Sequence, residues 1–407
     1  MASTILAVGL FIFAAYFFKG IFTRTGVPDV LLLMLCGILL GPVLGWVSPA
    51  QFGAAGSALA TMALVVILFE GGVDLDLSSL KSSISATLKL TLSTFIATVA
   101  IVTVAGVWLA GLTWMPAVML GMILGGTSSA VVIPLVQGLN VQGKARTVLV
   151  LESAITDVLC IVGIFVLLDA AKKGGVSVAD TALAVSETMI VAVLIGGLAG
   201  LAWLLLLRAA RQLPHGSFAS AAMCFIVYGT TELLGFSGAI AALSFGLFLA
   251  NGRRFANATG LIRPGRLAAF SSQEQSFLQE LIFVLKTFFF VFLGISMQLK
   301  DTQVLVIGAV IVVAVYGVRH VLAGMTSDRD IATEHVALTA IMVPKGLAAA
   351  VLAGLPLQQG VEGGETIQGI AFVVVLLSIG LTAVMIPIQR STFGGGLYRK
   401  LFRSQQT

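Results

Sequence analysis

Residues 121–139 read GMILGGTSSAVVIPLVQGL, an apolar stretch that is interrupted in its middle by two glycines and three hydroxyl-bearing residues. A stretch of this length can cross the hydrocarbon core of a bilayer as a helix. The two glycines loosen that helix, and Pro134 removes a backbone hydrogen bond further along it. The stretch therefore predicts a transmembrane helix broken near Gly126. The hydroxyl groups at the break belong to Thr127, Ser128 and Ser129.

A second stretch, TAIMVPKGLAAAVLAGLPL at residues 339–357, has the same character. Pro344 and Gly346 flank Lys345, so a second broken helix with a positive charge at the break is expected. Lys345 can neutralise the dipole end of a half-helix or a nearby carboxylate. An unwound stretch also frees backbone carbonyls, which suit a small hard cation where they line a polar cavity. The alternative for the first stretch is a surface of small residues on which intact helices pack.

Composition assigns the whole chain to the membrane. Of 407 residues, 58% are hydrophobic and 10% are charged, too few polar side chains to cover a soluble domain. We expect an all-α integral membrane protein of about thirteen transmembrane helices, one transport domain over 1–407 without a soluble regulatory domain. The expected spans are 3–19, 28–46, 53–70, 83–110, 114–138, 146–168, 184–207, 217–234, 237–251, 278–298, 303–322, 333–356 and 366–388.

Basic residues are distributed unevenly between the loops on the two sides of these spans. Sixteen of the 23 lysines and arginines fall on one side and three on the other. Because short basic loops stay in the cytoplasm, we expect an outside N-terminus and a cytoplasmic C-terminus in a plasma membrane. This bias accounts for the net charge of +5 without a nucleic-acid partner.

Three weak sequence pairs are each separated by seven spans. GILLGP from Gly37 pairs with GLFLAN from Gly246, FEGGVDL from Phe69 pairs with FLGISMQL from Phe292, and the two breaks pair with each other. An odd shift reverses the direction of a segment across the membrane, so the halves are predicted to be inverted repeats. Inverted repeats with a broken helix in each half are the architecture of many secondary transporters.

Span six contains LESAITDVLCIV at residues 151–162, with two carboxylates inside the predicted membrane region. Charges there are costly and are functional candidates by default. Glu152 and Asp157 are five positions apart, roughly 140° around a helix, so they face different neighbours. Ser153 shares a face with Asp157, and the two form an oxygen-rich patch for a hard cation. A structural, hydrogen-bonded acid is the alternative for Asp157.

Arg319, in span eleven, is the other buried charge that needs explanation. An arginine cannot lose its charge in a protein, so a buried Arg319 requires a permanent partner. Glu152 is the obvious candidate, and a structural ion pair is the favoured role for it. Snorkelling to a membrane interface is the alternative for Arg319.

Five segments, taken in order, resemble the landmarks of monovalent cation:proton antiporters. They are FEGGVDLDLSSLK, LGGTSSAVVIPL, LESAITDVLCIV, GFSGAIAALSFGLFLANG and MVPKGLAAAVLAGLP, and the NhaP-like sodium/proton branch is the most similar. The resemblance covers nearly the whole chain. It implies crossed, unwound helices and a homodimer with two functional parts. These are a mobile core (spans in 83–168 and 303–388) and a dimerisation domain (spans in 3–70 and 184–298).

The family's Glu-Ser-x-x-Asn-Asp motif appears in span six with Thr156 in place of the asparagine. The resemblance implies that Asp157 carries the cation or the proton, that Ser153 is a ligand, and that Glu152 pairs with basic residues on later spans. Thr156 is a further candidate at the binding site.

The family's unwound Thr-Asp-Pro motif appears here as Thr127, Ser128 and Ser129. The acidic position is therefore a serine, as it is in potassium-linked Kef-type relatives, and all three residues are implied to lie at the cation site. Lys345 stands where the NhaP-like branch usually has arginine. These departures leave the selectivity between Na⁺, K⁺ and Li⁺ open.

The mechanism that we expect is competition at Asp157. The ionised carboxylate binds Na⁺ with Ser153, Thr127 and main-chain carbonyls, and the protonated carboxyl is neutral. One titrating carboxylate predicts electroneutral exchange of one proton per cation, and a titrating Lys345 would raise that number. K⁺/H⁺ exchange is the alternative. The chain is expected to be a secondary transporter that needs no cofactor.

Two rival classes are disfavoured by the residues. An intramembrane protease would need a GxSxG motif or two facing aspartates, and the sequence offers only Asp157 deep in a span. A channel or an anion symporter could place an anion at a half-helix N-terminus. An anion site would not have Asp157 at its centre.

Overall fold

The chain is a succession of long apolar helices. The computed structural model describes residues 2–25, 27–74, 77–139, 141, 143–172, 178–210, 218–259, 271–299, 301–326, 333–391, 394–396, 398 and 402. The helices are α1 Ala2–Thr25, α2 Asp29–Ile38, α3 Gly53–Asp74, α4 Leu77–Trp108, α5 Trp114–Gly125, α6 Ser129–Gly138, α7 Gly143–Lys172, α8 Val178–Ala210, α9 Ala219–Leu233, α10 Gly238–Thr259, α11 Ser272–Ile295, α12 Thr302–Thr326, α13 Thr333–Ile341, α14 Leu347–Gln358 and α15 Gly364–Arg390. A π-helical turn, Leu39–Val43, follows α2, and a short 3₁₀ turn, Pro49–Phe52, precedes α3.

The number of helices in the described part of the chain agrees with the thirteen spans that the sequence predicted. Seven in the described part of the chain are long and apolar enough to span a membrane, with α5 and α6 counted together, and five shorter helices are also apolar. When α13 and α14 are likewise counted as one broken helix, the described residues form thirteen helices. The expectation of an all-α membrane protein of about thirteen helices is confirmed.

Both predicted helix breaks are present, and they contact each other. Helical structure stops at residues 126–128 between α5 and α6, and at residues 342–346 between α13 and α14. The backbone N–H of Ser128 donates to the carbonyl oxygen of Pro344 at 2.8 Å. A methyl group on Gly346 would overlap the Ser128 hydroxyl, so the close approach of the two breaks requires glycine there.

Contacts divide the chain into two compact units. The first comprises Met1–Gly56, Lys81–Ala171 and Thr287–Thr407, and the second comprises Ser57–Leu80 and Lys172–Lys286. The first unit contains both broken helices. The expected division into a mobile core and a dimerisation domain concerns movement and assembly, and it stays a prediction.

Each unit contains a close helix crossing that is made by paired glycines. In the first unit, a methyl group on Gly37 of α2 would lie 2.9 Å from the Cα of Gly294 in α11. In the second, a methyl group on Gly72 of α3 would lie 2.8 Å from the backbone nitrogen of Leu247, beside Gly246 in α10. The sequence pairs α2 with α10 and α3 with α11. In the structure, α2 packs on α11, and the matching helix α10 packs on α3. Such an exchange of partners between halves is what inverted repeats produce.

Replacing Gly294 by leucine is expected to destabilise the first unit. The new side chain would push against the α2 backbone at Gly37, and overpacking of this kind costs about 1–3 kcal/mol or more. The measurement is the thermal midpoint of the detergent-solubilised protein. Gly317→Leu is the matched control, because the Gly317 position in α12 has nothing within 4 Å. Equal midpoints for the two variants would contradict the close crossing.

Candidate functional site

Asp157 and Ser129 form the centre of the site. The Ser129 hydroxyl, at the first residue of α6, donates to Oδ2 of Asp157 at 2.7 Å. Both side chains are partly exposed, in contrast to the buried residues around them. The positive end of the α6 half-helix dipole therefore lies beside this carboxylate. Of the three hydroxyls at the break, Ser129 is the one that reaches Asp157.

Helix α7 also holds the backbone of the break in place. The N–H of Gly126 donates to Sγ of Cys160 at 3.1 Å, and the N–H of Thr127 donates to the Thr156 hydroxyl at 3.1 Å. Thr156 in turn donates to the carbonyl of Ser153 at 3.2 Å. At the break, the N–H groups of Gly126 and Thr127 thus find their hydrogen-bond acceptors in side chains of α7.

The remaining predicted ligands occupy different surroundings. Ser153 lies one turn before Asp157 and is fully buried. Its hydroxyl donates to the carbonyl of Val150 at 3.0 Å. Ser128 is buried at the contact between the two breaks. Thr127 lines a small cavity, and its backbone N–H donates to the Thr156 hydroxyl of α7. The roles of these hydroxyls in binding a cation stay predictions.

Lys345 connects the second break to the first. Its Nζ donates to the carbonyl of Gly126 at 2.7 Å, and its backbone N–H donates to the hydroxyl of Ser378 in α15 at 3.0 Å. The Gly126 carbonyl follows the C-terminal end of α5, where the helix dipole is negative. The buried ammonium therefore neutralises a half-helix end, one of the two partners that the sequence suggested for it.

Glu152 and Arg319 form a buried, two-pronged ion pair. Nη2 of Arg319 donates to Oε2 of Glu152 at 2.7 Å, and Nη1 donates to Oε1. Nε of Arg319 donates to the carbonyl of Thr339 at 3.1 Å, and the Thr94 hydroxyl donates to Oε1 of Glu152 at 3.2 Å. The exposed fractions of Glu152 and Arg319 are 1% and 4%. The pair joins α4, α7, α12 and α13, and Arg319 does not snorkel.

A small cavity lies against this ion pair and Lys345. Its volume is about 10 Å³, which is room for about one water molecule. Its polar lining consists of Thr94, Thr98, Thr127, Glu152, Arg319 and Lys345.

The charges of the site decide what it can do. When Asp157 is ionised, the two carboxylates balance Arg319 and Lys345. Binding of one monovalent cation then gives the site the same net charge as binding of one proton. A single carboxylate is thus suited to hold either of them, but not both at once.

Sequence reasoning missed three residues of the site, namely Thr94, Cys160 and Ser378. A thiol that accepts a backbone hydrogen bond, as Cys160 does, has no distinguishing sequence signal. Ser378 is an isolated polar residue in an apolar span and could have been noticed for that reason. Thr94 had the strongest signal, because it is one of several threonines at helical spacing in α4.

Comparison with known proteins finds cation:proton exchangers and antiporters. The family model described as "Sodium/hydrogen exchanger, transmembrane" matches residues 9–388. The K⁺/H⁺ antiporter NhaP of Alkalimonas amylolytica is 28% identical over 261 residues, which cover 61% of this chain and 44% of that protein. The chain therefore spans under half the length of this relative.

Two further proteins match over nearly their whole length. The Na⁺/H⁺-K⁺ antiporter GerN of Bacillus cereus is 25% identical over 387 residues, 91% of each chain. The structure of the sodium proton antiporter MjNhaP1 from Methanocaldococcus jannaschii at pH 8 superposes with a TM-score of 0.72. That match covers 94% of this chain and 99% of the other at 20% identity, and it supports the fold.

Proposed function

The chain belongs to the sodium/hydrogen exchanger family, and we propose that it is an antiporter that exchanges a monovalent cation for protons by alternating access. The observation that carries the proposal is the pairing of one partly exposed carboxylate, Asp157, with the Ser129 hydroxyl at a helix break. Family membership places the chain among secondary transporters and not among enzymes.

Binding and release centre on Asp157. The ionised carboxylate holds the dehydrated cation together with oxygen atoms around the break, for which Ser129, Ser153 and Thr127 are the side-chain candidates. Protonation neutralises the carboxylate, and the cation leaves. Either ligand gives the site the same charge. The charge moved across the membrane with the cation therefore equals the charge moved in the other direction with the proton. One cation then exchanges for one proton, electroneutrally.

Na⁺ is the cation that we propose first, and K⁺ is the second candidate. The family description and the name of MjNhaP1 favour Na⁺. Two observations favour K⁺. Serine replaces the acidic residue at position 128, and the relatives NhaP and GerN are named as K⁺/H⁺ and Na⁺/H⁺-K⁺ antiporters.

Orientation and assembly are part of the same proposal. The excess of basic residues on one side supports an outside N-terminus and a cytoplasmic C-terminus in the plasma membrane. A homodimer rests on the family resemblance. Chemical cross-linking in native membranes, with a product of twice the mass of one chain expected, tests the dimer independently of transport.

Purified protein in liposomes with an interior pH dye is expected to move protons when Na⁺ or K⁺ is added outside. The ion that gives the lower KM identifies the preferred cation. Clamping the membrane potential with valinomycin and K⁺ is expected to leave the Na⁺-driven rate unchanged, because the exchange carries no net charge. A rate that follows the imposed potential would contradict one-to-one exchange, and cation flux without proton movement would contradict the antiporter.

A further inference from the structure

The hydroxyl of Ser378 in α15 reaches the backbone of the second break. It accepts the N–H of Lys345 at 3.0 Å and donates its own proton to the carbonyl of Val375 at 3.1 Å, one turn back in α15. The exposed fraction of Ser378 is 0%. With its proton and one lone pair both engaged in the interior, the hydroxyl keeps one orientation and holds the Lys345 N–H in one place.

The N–H of Lys345 belongs to the same planar peptide group as the carbonyl of Pro344. That carbonyl accepts the N–H of Ser128 at 2.8 Å. The peptide group between Pro344 and Lys345 thus connects α15 with the first break. Because the group is planar, its carbonyl cannot turn unless its N–H turns as well. The hydroxyl of Ser378 therefore sets the direction of the carbonyl that holds Ser128.

Ser128 is the residue immediately before α6. The next residue, Ser129, begins the helix, and its hydroxyl donates to Oδ2 of Asp157 at 2.7 Å. A shift of Ser128 is passed to Ser129 across a single peptide bond. Ser378 is therefore linked to the carboxylate of Asp157 through the second break and the start of α6.

Helix α7 holds the first break in the same way. The N–H of Gly126 donates to Sγ of Cys160, which follows it by 34 positions. The N–H of Lys345 donates to Ser378, which follows it by 33 positions. In each half of the predicted inverted repeat, a side chain of the helix after the break thus accepts an N–H of the break. This correspondence assigns Ser378 to the architecture of the breaks.

We propose that Ser378 is a positioning residue for cation binding. Its hydroxyl holds the peptide group between Pro344 and Lys345 in the direction that keeps Ser128, and with it Ser129, in place beside Asp157. Without the hydroxyl, the buried N–H of Lys345 loses its acceptor, which is costly, and the peptide group turns. The start of α6 then loses its fixed position. This inference rests on the proposed antiport and adds a residue that sets the affinity of the site for the cation.

Ser378→Ala is expected to raise the KM for Na⁺ and for K⁺ about tenfold, the lower end of what is lost when a group that holds a metal ligand is removed. The maximal rate should change less, because a saturating cation concentration still fills the site. Both are measured as cation-driven proton movement in proteoliposomes. Ser378→Cys should restore the KM, since the thiol of Cys160 accepts an N–H at the first break.

Ser244→Ala is the matched control. Ser244 is also buried, and its hydroxyl joins α10 to α8 by donating to the carbonyl of Val193 at 2.9 Å. It belongs to the second unit, whereas both breaks belong to the first. Its loss should lower the thermal midpoint, as the loss of Ser378 should, but leave the KM unchanged. A hydroxyl that only supports the fold changes the amount of active protein, and hence the maximal rate, without changing the KM.

Calorimetric titration of the purified protein with NaCl or KCl measures the dissociation constant without transport. We expect this constant to rise about tenfold in Ser378→Ala and to return in Ser378→Cys. An unchanged constant in folded Ser378→Ala would overturn the proposal, and so would an equal rise in Ser244→Ala or a Ser378→Cys protein as impaired as Ser378→Ala. A wild-type protein that binds the cation without exchanging it would instead refute the proposed antiport, and the role of Ser378 in binding would stand.

Discussion

Asp157→Asn is expected to reduce cation:proton exchange to the level of empty liposomes while the protein stays folded. Asparagine has nearly the shape of aspartate and can still accept the hydrogen bond from Ser129. It can neither neutralise a bound cation nor gain and lose a proton. The substitution therefore removes both ligands of the site at once. The measurement is Na⁺- and K⁺-driven proton movement in proteoliposomes, with gel filtration and the thermal midpoint as tests of folding.

Asp301→Asn is the matched control for this prediction. Asp301 is exposed and accepts hydrogen bonds from the backbone of Gln303 and Val304 at the start of α12. Asparagine can do the same, so exchange should persist. Exchange by the Asp157→Asn protein would show that the cation and the proton bind at another residue. Loss of exchange in both variants would show that the effect does not belong to Asp157.

Glu152→Met is expected to cause the largest loss of stability of any substitution in the site. It leaves the Arg319 guanidinium buried without its carboxylate, and breaking a buried pair from one side costs about 3–5 kcal/mol. The Thr94 hydroxyl also loses its contact with the carboxylate. A strong fall in the thermal midpoint, with a lower yield of folded protein, is the expected result.

Removing both charges is the control for the ion pair. Glu152→Met with Arg319→Met leaves no uncompensated charge, and apolar replacement of a whole buried pair is often neutral or stabilising. The double variant should therefore recover most of the midpoint that Glu152→Met loses. If the double variant is as unstable as the single one, the pair does more than balance charge between α7 and α12.

Much of the fold could be predicted because hydrophobicity and helix breakers act locally. The glycines before Thr127 and Pro344 beside Lys345 marked both breaks to within a few residues. Helix ends were less predictable. The span expected at 237–251 is the helix Gly238–Thr259, because a helix does not need to stop where its apolar segment ends.

The site was predictable where charge forced a pairing. A buried Arg319 needed a carboxylate, and Glu152 was the candidate available. The partner of Lys345 was open between a carboxylate and a helix end, and it is the Gly126 carbonyl. A backbone carbonyl has no sequence signal, since every residue carries one. For the same reason the sequence could not show which of three adjacent hydroxyls would reach Asp157.

The most direct test of the central claim is proton release on cation binding. Purified protein in weakly buffered detergent solution, at a pH where Asp157 is protonated, is mixed with Na⁺ or K⁺, and the released protons are counted with a pH indicator. Competition at one carboxylate predicts one proton released per bound cation and per protomer, and none from Asp157→Asn. Saturable cation binding without proton release, or equal release from Asp157→Asn, would contradict the account.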